Sequence, residues 1–216
     1  MFYIIFIALA AFLFSLLGTR LVILALRRRP VLIAKPSLRS NHKVPTPTGG
    51  GIAVVVTLMI YLLAADASFT LIIGLLLLAA LSLLDDWIDV TPLARIAAQL
   101  LAVLLVLESQ RFNLFGGVLP FWAEKGFALF AWMWFINLFN FMDGIDGLAA
   151  TEAMAIGGGL ALIIAIAGIF PGTLPSFALV VAAAACGFLW WNWHPAKIFL
   201  GDVGSVPLGF VLGYML

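Results

Sequence analysis

Apolar residues run along this chain in long, nearly unbroken blocks separated by short polar punctuation. The blocks cover about residues 2–25, 50–65, 69–84, 92–107, 126–140, 148–169 and 176–193, with an eighth opening near 206. Continuous runs predict helices, because strands of a membrane barrel would alternate lipid-facing and lumen-facing residues along every segment. Several blocks fall short of the roughly 20 residues a full crossing needs, which predicts tilted helices or ends buried in protein. The pattern therefore predicts an all-α, polytopic membrane bundle of about eight spans, a single membrane-embedded domain over residues 1–216. The last block, "VPLGFVLGYML", is about half a span. A re-entrant helix or a chain truncated at its C-terminus would account for it, and truncation is the preferred expectation.

Composition strengthens the membrane reading. The chain is 65% hydrophobic and only 10% charged, with a mean hydropathy of +1.21, far from soluble usage. Cys186 is the single cysteine, which excludes a disulfide framework and a cysteine metal cluster. The first block lacks a basic leader and exceeds a signal-peptide core, so it reads as a retained span.

The connections between blocks fall into two sets. If each span reverses the side, "RRRPVLIAKPSLRSNHKVPTPTGG", "DDWIDVTPLAR", "NFMDGIDG" and "NWHPAKIFLGDVGS" share one membrane face, opposite the bland "ADAS", "ESQRFNLFGGVLPFWAEKG" and "FPGTLPS". The first set carries Arg27, Arg28, Arg29, Lys35, Arg39, Lys43, Arg95 and Lys197, against Arg111 and Lys125 in the second. The positive-inside rule makes the motif face cytoplasmic and starts the N-terminus outside.

That face holds the candidate chemistry. Asp85, Asp86 and Asp89 close the third block; on a helix Asp85 and Asp86 diverge by about 100°, so one could meet a substrate while the other meets a lysine or a metal. In "NLFNFMDGIDGLAA", Asn137, Asn140, Asp143 and Asp146 recur at a spacing of three, which on a helix would align two amides and two carboxylates on one stripe. Such a stripe cannot face lipid. Gly144 and Gly147 permit a sharp turn or a close ligand approach. In "FLGDVGS", Asp202 lies between Gly201 and Gly204 at the mouth of the last block, where backbone N–H groups and a carboxylate could serve a cation and phosphate together. The first loop offers His42, Lys43, Thr46 and Thr48 on a backbone stiffened by Pro45 and Pro47. His42 and His194 are too isolated to argue for zinc. Clustered carboxylates would repel one another without a divalent cation, and oxygen donors point to Mg2+, with Mn2+ as the alternative. These residues predict a metal-dependent phosphoryl-group enzyme working at the cytoplasmic interface.

The ordered set "HKVPTPTGGG", "DD" at a span end, "NFMDGIDGLA" and "PAKIFLGDVGS" resembles the polyprenyl-phosphate N-acetylhexosamine-1-phosphate transferases. The resemblance runs from the first loop to the C-terminus. It implies transfer of a sugar 1-phosphate from a UDP-N-acetylamino sugar to undecaprenyl phosphate, releasing UMP, in a bacterial cytoplasmic membrane. It further implies that Asp202 ligates Mg2+ and that Asp85 or Asp86 handles the lipid phosphate. Asn137, Asn140, Asp143 and Asp146 would belong to the nucleotide-sugar and catalytic centre. Phe199 would stack on uracil, and Lys43, Thr46 and Arg95 would bind substrate. The expected partners are the two substrates and the bilayer, with no nucleic acid and with a homodimer as a compatible assembly.

Three departures refine this. Asp89 stands where the peptidoglycan branch of the family has Lys, and Thr48 meets Gly49 where that branch inserts Met, so the O-antigen or common-antigen type is preferred over the peptidoglycan-precursor type. The family's histidine-containing loop is absent from these 216 residues. The rivals are an ion-coupled transporter, which should carry its acids near mid-span, and an inactive truncated homologue.

Overall fold

The computed structural model describes residues 2–28, 33–34, 46–109, 114–168 and 172–216, with the side chains of 2, 33, 34, 86 and 87 left out. Every apolar block is a helix: α1 (Phe2–Arg28), α2 (Gly51–Ala64), α3 (Phe69–Ile88), α4 (Pro92–Ser109), α5 (Phe121–Met142), α6 (Leu148–Ala167), α7 (Leu174–Asn192) and α8 (Asp202–Met215). Two bounds move in ways that matter. α3 continues through Asp85, and α8 begins at Asp202 rather than near 206, so both acids belong to helix ends and not to loops. One short antiparallel pair, β1 (Ile33–Ala34) with β2 (Thr46–Pro47), departs from the purely helical expectation.

Among the described residues, four helices are long and apolar enough to cross a membrane: α1 from Tyr3, α4, α6 and α7. The expectation of about eight spans is therefore met by length and composition for these four. α2 and α8 have 14 residues each, roughly 21 Å of helix at 1.5 Å per residue, against a hydrocarbon core of about 30 Å.

α8 is the centre of the bundle. It packs on α2, α3, α5 and α6, and Val203 through Leu212 are all buried. Its apolar character on every side has a simple cause: a helix surrounded by helices has no face to give to water. Trp132 of α5 stacks on Phe210 with 5.2 Å between ring centroids and donates its indole N–H to the Phe210 carbonyl at 2.9 Å. A polar indole edge is thereby satisfied inside an apolar layer. α1, by contrast, turns Tyr3, Phe6, Leu9, Phe14, Leu17 and Leu21 outward, the arrangement expected of a helix that faces lipid.

Neighbouring contacts give the relative directions. α1 runs parallel to α7, with Ser15 Oγ donating to the Ala184 carbonyl at 2.6 Å and Trp191 Nε1 to the Leu16 carbonyl at 2.9 Å. α8 runs antiparallel to α5, pairing Ser205 with Asn140 and Phe210 with Trp132. It also runs antiparallel to α3, where Gly74 lies against Phe210. The alternation of direction brings the ends of α3, α5 and α7 to one end of the bundle with the starts of α2, α4, α6 and α8. At the opposite end, Tyr61 meets Ser176 at 2.7 Å and Thr70 meets Ser109 at 2.8 Å.

Candidate active site

At the end where the motif segments gather, α3, α4, α5 and α8 enclose a cavity of about 210 Å³. Asp85, Arg95, Gln99, Asn137, Asn140 and Asp202 line it over an apolar floor that includes Leu78 and Val206. Its charged groups sit at helix ends and its amides lie deeper, in the last turns of α5 and the second turn of α4.

The acid–arginine part is built by a tight turn after α3. Asp89 caps the helix in the left-handed region, φ 48°, a conformation that Asp tolerates better than most residues. The reversal lets the Val90 N–H donate to Asp85 Oδ1 at 2.7 Å. Arg95, in the first turn of α4, donates from Nε to the Val90 carbonyl at 3.3 Å and from Nη2 to Asp85 Oδ2 at 2.6 Å. Its Nη1 reaches Asp202 Oδ2 at 3.3 Å. The planar guanidinium can make these contacts at once because its donors form a fixed fork. The Asp85 side chain is 5% exposed and that of Arg95 43%, so the pair closes the cavity from one side while remaining partly wetted.

The amide part is held just as closely. Asn137 Nδ2 donates to Gln99 Oε1 at 2.9 Å and to the Met133 carbonyl at 2.8 Å. Ser205 Oγ donates to Asn140 Oδ1. Half-buried amides bonded in this way, with Gln99 fully buried, resist displacement because breaking such a pair leaves polar atoms short of partners.

Asp143 and Asp146 do something else. The stripe predicted through positions 137, 140, 143 and 146 ends after two members, because α5 stops at Met142 and Asp143 is its C-cap. The chain then turns through Gly147, φ 72°, into α6. Asp143 accepts the Leu200 N–H at 3.0 Å and the Gly201 N–H at 2.7 Å. Asp146 Oδ2 accepts the Ala196 N–H at 3.1 Å and meets His194 Nδ1 at 2.8 Å. The Asp146 side chain is 9% exposed, whereas that of His194 is 83% exposed. Asn192 completes the clamp: its Oδ1 accepts the Gly147 N–H at 2.9 Å and its Nδ2 donates to the Ile198 carbonyl at 2.9 Å.

The 193–201 segment is pinned from its other side by the first loop. Gly50 and Gly51 N–H donate to the Phe199 and Leu200 carbonyls at 2.9 Å, and the Phe199 N–H donates to the Pro47 carbonyl at 2.9 Å. Thr46 and Phe199 are both buried here. Lys43 and the side chain of Asp86 lie outside the described residues, as do Arg29, Lys35, Arg39, His42 and Arg111.

Asp143 carries a pH signature. Burial pushes its pKa up to about 7, against the lowering influence of the Gly201 and Leu200 N–H donors, with the neighbouring Asp202 charge adding to the rise. The folded state thus binds this proton more tightly than the unfolded chain does. The associated stabilisation is full below the unfolded value of 3.8 and is lost as pH rises through about 7. Asn mimics the protonated acid, so Asp143→Asn is expected to flatten this part of the thermal-midpoint profile between about pH 4 and pH 7. The check is the difference in detergent-solution melting profiles between the two proteins. An unchanged slope would remove Asp143 as its source.

The donor set bears on a metal. Among the described residues no three His, Cys, Asp or Glu side chains gather into a metal cage. What is present is Asp202 at the cavity wall, against Arg95, Asp85 and Asn140. That set fits a hard cation held by one or two carboxylates and completed by phosphate oxygens, the usual manner for Mg2+.

Sequence reasoning passed over Gln99, Asn192, Ser205 and the pairing of His194. Gln99 had a visible signal, a long amide four residues after Arg95 within an apolar block. The partners of Asn192, Ser205 and His194 lie 45, 65 and 48 positions away, beyond any local pattern.

Fold and site together define a helical membrane protein with an acid–amide cavity at one end of its bundle. The chain belongs to glycosyl transferase family 4, whose profile matches residues 68–216. Among its relatives is a Bacillus subtilis (strain 168) protein described as a probable undecaprenyl-phosphate N-acetylglucosaminyl 1-phosphate transferase, 31% identical over 95% of this chain and 61% of its own length. The phospho-N-acetylmuramoyl-pentapeptide-transferase of Aliarcobacter butzleri (strain RM4018) is 32% identical over 81% of this chain and 61% of its own length. That of Frankia alni (strain DSM 45986 / CECT 9034 / ACN14a) is 35% identical over 94% of this chain and 72% of its own length. The chain thus spans about three fifths of the length of the first two relatives.

Proposed function

We propose that this chain forms the catalytic-face portion of an enzyme that moves a sugar 1-phosphate from a UDP-N-acetylamino sugar to undecaprenyl phosphate, releasing UMP. The membrane is the bacterial cytoplasmic membrane, with the cavity on its cytoplasmic side. The observation that carries the reading is the cavity itself, where Asp85, Arg95, Asn140 and Asp202 converge from four helices. Two carboxylates and one guanidinium leave it net negative, which would repel a pyrophosphate unless a divalent cation entered with it.

Mg2+, held by Asp202 with Asp85 close by, would neutralise charge on the pyrophosphate as the bond to the sugar phosphate changes hands. The protein's own groups do the positioning. Asp85, locked to the Val90 N–H and Arg95, orients the acceptor phosphate without needing to act as a strong base, because a phosphate monoester is already largely ionised near neutral pH. Asn137 and Asn140, set by Gln99 and Ser205, present fixed amide dipoles along the cavity wall. Asp143 and Asp146 act one layer out by holding the 196–201 segment from which Asp202 emerges. Lys43, Thr46 and Phe199 remain assigned to substrate from the first loop and its neighbour. Phe199 is buried, so its contact with uracil requires the ring to be uncovered. Asp89, in place of the peptidoglycan-branch Lys, favours a UDP-N-acetylglucosamine-type donor over a muramoyl-pentapeptide donor.

The deciding experiment incubates the full-length protein in detergent with undecaprenyl phosphate, Mg2+ and a panel of UDP-sugars and measures UMP. Release with UDP-N-acetylglucosamine is expected. Absence of UMP with every donor would overturn the assignment, and release only with the muramoyl-pentapeptide donor would transfer it to the peptidoglycan branch.

A further inference from the structure

We propose that Arg95 is a tethered cation that competes with the divalent metal, bridging Asp85 and Asp202 and yielding the Asp202 carboxylate when the metal enters with substrate phosphate. The inference rests on the reading of Asp202 as a Mg2+ ligand and goes beyond it, because it concerns what the guanidinium does to that site.

Three observations support it. The guanidinium spans the two acidic helix ends of the cavity, 2.6 Å from Asp85 Oδ2 and 3.3 Å from Asp202 Oδ2. The two contacts are unequal. Asp85 is buried, bound a second time through the Val90 N–H, and part of a closed ring in which Val90 also accepts from Arg95 Nε. The Asp202 contact is longer, and its carboxylate is about one-third exposed, 32%. A partly wetted pair at that separation is weak, whereas the Asp85 side of the fork is anchored by neutral and charged donors together. The guanidinium can therefore release Asp202 while staying fixed on Asp85.

The chemistry gives this arrangement a use. Asp85 and Asp202 line the same cavity and share one guanidinium, and two carboxylates in a partly buried cavity repel unless a cation lies between them. Arg95 supplies that charge permanently. A divalent cation brings two positive charges and prefers oxygen ligands, so it displaces the weaker Arg95 contact only when phosphate oxygens complete its shell. Once off Asp202, the guanidinium keeps Nη1 available for a phosphate oxygen, which it binds well. Arg95 would thus lower the affinity of the site for bare metal and couple metal entry to phosphate entry.

The test measures Mn2+ binding to full-length protein by electron paramagnetic resonance, and Mg2+-dependent thermal midpoints, for wild type, Arg95→Gln, Arg95→Lys and Asp202→Asn. Neither readout requires turnover. Arg95→Gln is expected to bind Mn2+ about two- to fivefold more tightly than wild type, the scale of one partly exposed ion pair. Its thermal midpoint should depend more steeply on Mg2+. Arg95→Lys, which keeps the charge and guards against a folding defect in the Gln variant, should fall between them because an ammonium cannot bridge the three acceptors together. Equal or weaker Mn2+ binding by Arg95→Gln, with binding that still depends on Asp202, would overturn the competition while leaving the metal site intact. Binding that survives Asp202→Asn unchanged, or no binding by wild type and Arg95→Gln alike at millimolar Mn2+, would overturn the metal assignment and this inference with it.

Discussion

Asp202→Asn in the full-length protein is expected to lower UMP release about 100-fold or more, the scale on which single groups that stabilise developing charge act. The expectation comes from where Asp202 stands. It is the first residue of α8, at the cavity wall, within reach of Arg95, Asp85 and Asn140. Asn keeps the size and one oxygen but removes the charge that a hard cation needs. The cost to the fold should be small. A partly buried carboxylate in the first turn favours the helix dipole by at most about 2 kcal/mol, and Arg95 retains its stronger bond to Asp85. A large loss of turnover with a nearly unchanged thermal midpoint therefore separates a metal-binding role from a structural one. Near-wild-type turnover would remove Asp202 from the reaction, and a collapse of the midpoint would mark it as structural instead.

The second large effect concerns folding. Gly51 opens α2 and Gly204 lies in the first turn of α8, and the two backbones touch. A Cβ on Gly51 would stand 2.1 Å from Gly204 Cα, and one on Gly204 would stand 2.4 Å from Gly51 Cα. Both obstacles are backbone, so no rotamer change relieves them. The crossing is also where the Gly51 N–H bonds the Leu200 carbonyl, so separating the helices breaks the hold on the segment leading to Asp202. Gly51→Ala and Gly204→Ala are each expected to cost at least about 3 kcal/mol, the upper part of the range for overpacking a tight interior. The consequence should be a marked fall in thermal midpoint and in the yield of monodisperse protein. Gly158→Ala is the control: its Cβ meets nothing within 4 Å in the middle of α6, where Ala has the better helix propensity. A Gly204→Ala protein that melts like the Gly158→Ala control would show that α2 and α8 do not approach so closely.

"GDVGS" suggested phosphate chemistry because a glycine-rich turn at a helix start presents backbone N–H groups to an anion. In the fold, Gly51 and Gly204 are spent on each other, and the approach that requires them is helix to helix. The same redistribution affects the acids. Asp85 and Asp202 face the cavity, while Asp143 and Asp146 turn to the backbone and ring of the 193–201 segment.

What the amino-acid sequence determined by itself was the set of helices and the end of the bundle at which the polar residues meet. Lipid and buried neighbours both demand continuous apolar runs, so each helix is written locally, and short connections force alternate directions that bring Asp85, Asn140 and Asp202 together. Only the tertiary structure decided how each helix is rotated and which polar group answers which. Asp143 and Gly201 are 58 positions apart, as Arg95 and Asp202 are 107 apart. In so apolar a chain the helices are hydrophobic on nearly every side, so periodicity does not record orientation. The few hydrogen bonds and glycine contacts between distant segments supply it, because a buried polar group without a partner is too costly to leave.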